Sequence, residues 1–63
     1  MDFFRLMYVT VKPIYTRDVP MGYPLPSVGE HIEIEEKRYV VSSRTWDIDI
    51  NHYPGVAIHV REY

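Results

Sequence analysis

Residues 27–50 read SVGEHIEIEEKRYVVSSRTWDIDI, which is two β-strands joined by a tight polar turn. Over 30–35, Ile32 and Ile34 alternate with His31, Glu33 and Glu35, the period of two that puts one face on a core and the other in water. Residues 36–38 predict the hairpin turn, although no Asn-Gly or Asp-Gly pair sets its type. The next strand, 39–50, carries Val40, Trp46, Ile48 and Ile50 in one phase and Tyr39 and Val41 in the other. Both phases are apolar early on, which predicts a bulge or bend near Ser42 and Ser43, as a curling sheet requires.

Working outward, residues 3–12 are aromatic and β-branched and predict a strand. Its faces are Phe4, Leu6, Tyr8, Thr10 and Phe3, Arg5, Met7, Val9, Val11. Neither is cleanly polar, so cover is expected on both, from the chain's own loop or from a neighbouring subunit. Residues 13–29 hold Pro13, Pro20, Pro24 and Pro26, which break helices and remove ladder donors, so the stretch reads as one long loop. Its apolar content makes it either a lid on a thin core or a proline and tyrosine surface for a partner. After turn chemistry at 51–55, residues 56–62 alternate Val56, Ile58, Val60 with Ala57, His59, Arg61, an antiparallel strand pattern. The expected fold is all-β: four antiparallel strands in meander order, a strongly bent sheet or half-open barrel with a long Pro-rich loop after strand one.

Sixty-three residues make one domain, 1–63, and a chain this short buries only roughly 60% of the surface its unfolded form exposes. With no cysteine, disulfides and thiolate-rich zinc sites are excluded, which favours self-association as the source of extra burial. The net charge of −2 gives no general attraction to nucleic acid. Asp2 and Arg5 interrupt the pattern of a signal peptide and the apolar run is too short to span a bilayer, so a cytoplasmic protein is expected.

No residue pattern points to catalysis. His31, His52 and His59 lie on separate segments without ligand spacing, so no metal is expected. Asp47 and Asp49 share a strand face without a third partner, Ser42 and Ser43 lack flanking elbow glycines, and Gly22, Gly29 and Gly55 are isolated. No catalytic residue and no cofactor follow. What remains is recognition chemistry: six tyrosines, one tryptophan and five arginines, residue types that dominate binding hot spots. Arg44 and Trp46 stand two apart, so they share a face if no bulge separates them, a fork of donors beside a stacking surface. The plainer alternatives are Trp46 in the core and Arg44 paired with Glu33 or Glu35. Tyr15, Tyr23 and Tyr53 complete the candidate binding set.

The pattern P-x-P-x-V-G-E-x-I-x-I over 24–34, with R-Y-V-V at 38–41 and R-T-W-D at 44–47, resembles the small β-rich accessory proteins of bacteriophages and prophages. The resemblance implies a compact binding protein acting in the host cytoplasm, with blocking of host defence a frequent role. The expected partner is a host protein or a second copy of the chain, as a homodimer or larger. An oligomer sequestering a small signalling nucleotide, a phage structural or assembly component, and a single-stranded nucleic-acid binder are the alternatives, the last opposed by the strip Glu30, Glu33, Glu35 and Glu36.

Overall fold

The computed structural model describes residues 2–48 and 54–63. Its strands are β1 (Phe3–Val9), β2 (Pro13–Pro20), β3 (His31–Ile34), β4 (Lys37–Ile48) and β5 (Pro54–Glu62). The alternating isoleucines form β3, which pairs antiparallel with β4 from Ile34 opposite Lys37 to His31 opposite Val40. The turn lies one residue earlier than the sequence predicts. It is the two-residue step Glu35-Glu36, with φ of 50° and 70°. Left-handed geometry at both centres is the twist-matched hairpin turn, which Asn-Gly satisfies and two glutamates do only under strain.

The bulge expected near Ser42 is present. Val41 faces Val60 and Ser43 faces His59, so Ser42 is the extra residue, and its hydroxyl donates to the His59 carbonyl at 3.0 Å. Inserting one residue reverses the phase of the strand. Tyr39 and Val41 before it, and Arg44 and Trp46 after it, therefore face the same side as Val60, Ile58 and Val56 of β5.

Residues 13–29 are not one loop. Their first half is β2, paired antiparallel with β1 from Phe3 opposite Pro20 to Val9 opposite Pro13. Pro13 and Pro20 occupy the ends of a strand at the sheet edge, where a missing N–H breaks no interior ladder. Val19 from this strand is fully buried. The lid is only the second half, 21–30.

The meander is corrected as well. The sheet has five strands in the order β2-β1-β5-β4-β3, and β1 runs parallel to β5 from Arg5 opposite Gly55 to Val9 opposite His59. Parallel partners need a crossover. After the β1–β2 hairpin the chain must pass from one edge strand, β2, to the other, β3, and segment 21–30 makes that passage over the core side with Leu25 against the core. A turn secures each end: the Tyr23 N–H donates to the Pro20 carbonyl at 3.0 Å and the Glu30 N–H to the Ser27 carbonyl at 3.0 Å. Gly22 (φ 88°) and Gly29 (φ 94°) stand at the third turn position, where a type II turn requires positive φ.

The sheet curls into a half-barrel around Phe4, Leu6, Val19, Tyr39, Val41, Val56, Ile58 and Val60. Complete burial of each of the larger side chains contributes about 1.5–3 kcal/mol. The opposite phase of β1 has no second layer among the described residues: Phe3 is half exposed, and Met7 and Val9 are half-buried, flanked in register by Thr16 and Ala57 and by His59. No helix among the described residues is long and apolar enough to cross a membrane.

Replacing Glu35→Asn together with Glu36→Gly removes the turn strain, and thermal unfolding should shift upward by about 4–8 °C, the response of a small domain to roughly 1 kcal/mol. Gly29→Ala should act oppositely: no atom lies within 4 Å of the added Cβ, so the loss is the φ penalty alone, about 1–2 kcal/mol in urea unfolding.

Candidate binding face

Trp46 is held on the core side of β4 by the bulge, opposite Val56. Its ring meets the buried Phe4 ring at 5.4 Å between centroids and 55° between planes, a tilted contact of the favoured kind. Yet it is 57% exposed. The indole is thus fixed on one side and open on the other, and it is not a core residue. Arg44, opposite Ile58, shares its phase and is exposed. The alternative pairing of Arg44 with an acidic residue of β3 is corrected by register, because Glu33 stands opposite Arg38.

A second group forms where β1, β2 and the lid meet. Tyr8 and Tyr15 stand opposite each other, with ring centroids 5.9 Å apart and planes tilted by 54°. The Arg17 guanidinium lies over the Tyr23 ring, 5.9 Å from its centroid, within cation–π range. Burial raises the Tyr8 phenol above its ordinary pKa of 10.0, and the nearby phenols of Tyr23 and Tyr15 raise it further. A negative charge on a neighbouring phenol disfavours the Tyr8 phenolate in the same direction as burial does.

Of the candidate residues, Arg44 and Trp46 come together on β4, and Tyr15 and Tyr23 come together with Tyr8 and Arg17. Tyr53 lies outside the described residues, as do His52 and Asp49. Arg17 is absent from the candidate set because the prolines of 13–20 read as loop, and the alternation Tyr15, Arg17, Val19 against Thr16, Asp18 is the signal that reveals it once that stretch is read as a strand; Tyr8 joins only through its pairing with Tyr15.

Register also sorts charge. Core-facing positions around these two groups are Phe4, Leu6 and Tyr8 on β1, Tyr15, Arg17 and Val19 on β2, and Arg44 and Trp46 on β4. Two arginines and no carboxylate fall among them, although the whole chain is acidic at −2. At the other end of the sheet a groove of about 530 Å³ is floored by Tyr39 and Val60 and rimmed by Lys37, Arg61 and Glu62, a mixed-charge setting. The described residues contain no group of three or more His, Cys, Asp or Glu side chains that could hold a metal ion. The His31 ring contacts the Tyr63 ring at 4.3 Å.

Comparison with protein-family models, with curated proteins and with solved structures finds no match to this chain.

The raised Tyr8 pKa has a consequence for alkaline stability. The native state holds this proton more tightly than the unfolded chain, so stability is unchanged below pH 10, the unfolded value, and falls as pH rises through the native value. A tyrosinate absorbance titration should resolve one late-ionising phenol, and Tyr8→Phe should remove that late step; persistence of the step would assign it to another residue.

Proposed function

We propose that the chain is a non-enzymatic binding protein that acts by direct contact with another protein through the Arg44 and Trp46 face of β4. The observation that carries this reading is the half-open indole: Trp46 is 57% exposed while braced on Phe4. A braced aromatic loses little conformational freedom on binding and offers a large apolar area, and the adjacent arginine adds directional donors. Exposed Met21 lies at the same end of the sheet, since its N–H donates to the Asp2 carbonyl and Phe4 touches Trp46, so apolar contact can extend beyond the indole. The resemblance to phage accessory proteins supports a host defence protein as the target, in the host cytoplasm, with the chain working as an inhibitor and as a homodimer or larger.

The test is affinity capture from producing host cells with the wild-type chain and with Arg44→Ala, Trp46→Ala in parallel. Both side chains are exposed, so the double variant should keep the native circular dichroism and lose the captured partner. A partner retained at equal yield by the folded double variant would reject this face. Native mass spectrometry of the wild type should show two or more subunits; a monomer at micromolar concentration would reject the oligomer.

A further inference from the structure

We infer that Tyr8, Tyr15, Tyr23 and Arg17 form a second site, separate from the Trp46 face, that binds a nucleoside monophosphate, with the phosphate on Arg17 and the phenol hydroxyls and the base against the tyrosine rings. Two adjacent strands and the crossover segment supply the four side chains, so the site exists only in the folded chain.

The donor set matches a phosphate monoester. A phosphate presents several acceptor oxygens to a planar fork of N–H donors, and arginine is suited to that geometry. Arg17 lies over the Tyr23 ring and is exposed, so its donors can be reached by an anion. Its core-facing neighbours are Tyr15 and Val19 on its own strand and Leu6 across the ladder, none of them a carboxylate. Asp18, adjacent in sequence, lies in the opposite phase. The charge is therefore not neutralised on this side of the sheet. Tyr15 stands two positions before Arg17 on the same face of β2 and opposite Tyr8 across the ladder, so phenol hydroxyls, which are donors at neutral pH, share this side of the sheet with the cation.

The rings decide for a nucleotide over a bare anion. Tyr8 and Tyr15 are half-buried and Tyr23 is 37% exposed, so flat apolar surface is open next to the cation. Base stacking on aromatic side chains is sequence-tolerant, because every base has a π-face. This site goes beyond the protein contact proposed for β4 and shares no residue with it.

The experiment is isothermal titration of the full-length chain with adenosine monophosphate, adenosine and inorganic phosphate, repeated on Arg17→Gln, Tyr15→Phe and Trp46→Ala. Adenosine monophosphate should bind wild type at least about tenfold more tightly than either fragment, and Arg17→Gln should weaken it by about tenfold or more, the scale of a charge-assisted hydrogen bond. Tyr15→Phe, which keeps the ring and removes one donor, should weaken it severalfold, and Trp46→Ala should leave it unchanged. No binding of the nucleotide at millimolar concentration, equal binding of adenosine, or an Arg17→Gln variant with wild-type affinity would each overturn the site. Loss of binding in Trp46→Ala would also overturn it by moving the ligand to β4, and partner capture through β4 succeeds or fails independently of every arm.

Discussion

The parallel pairing of β1 with β5 is the constraint on which the rest of this structure depends. It lies at the centre of the sheet and sets Leu6 beside Val56 and Tyr8 beside Ile58, three of which are almost completely buried. A hairpin cannot join parallel neighbours. The chain is therefore obliged to run from one sheet edge to the other, and the short segment that does so becomes the only cover over the core side among the described residues. Lid, open edges and half-barrel shape follow from one strand direction.

The bulge at Ser42 settles a different question. Without the extra residue, Trp46 would follow Val40 to the unlayered side of the sheet. With it, Trp46 reaches Phe4 on the core side and still keeps more than half of its surface exposed. The hydrogen bond from Ser42 to the His59 carbonyl engages the side chain of the residue that breaks the ladder. A local irregularity in β4 thus creates a braced, open aromatic.

Charge placement extends the same logic. The acidic residues are concentrated at the β3–β4 turn and on exposed phases, while Arg17 and Arg44 fall on the core side near apolar rings. Net charge therefore does not describe each face, because a face of a small sheet samples only every second residue. The strained Glu35-Glu36 turn shows the limit of local rules in the same way: pairing of Ile32 with Tyr39 and of Ile34 with Lys37 holds a conformation that neither glutamate prefers.

Legible in the residues alone were the all-β class, the β3–β4 hairpin, the bulge near Ser42, the pattern of β5 and the shared face of Arg44 and Trp46. These are properties of short-range alternation, which the chain carries locally. Folding was needed to show that residues 13–20 form an edge strand, that β1 and β5 run parallel, that Trp46 stays open, and that Arg17 and Tyr8 join Tyr15 and Tyr23. Proline reads as a loop until the strand is known to lie at an edge, since whether a missing N–H matters depends on whether a neighbour needs it. Strand direction and the meeting of residues from β1, β2 and the lid are long-range facts, fixed by which apolar faces bury one another once the chain has closed on itself.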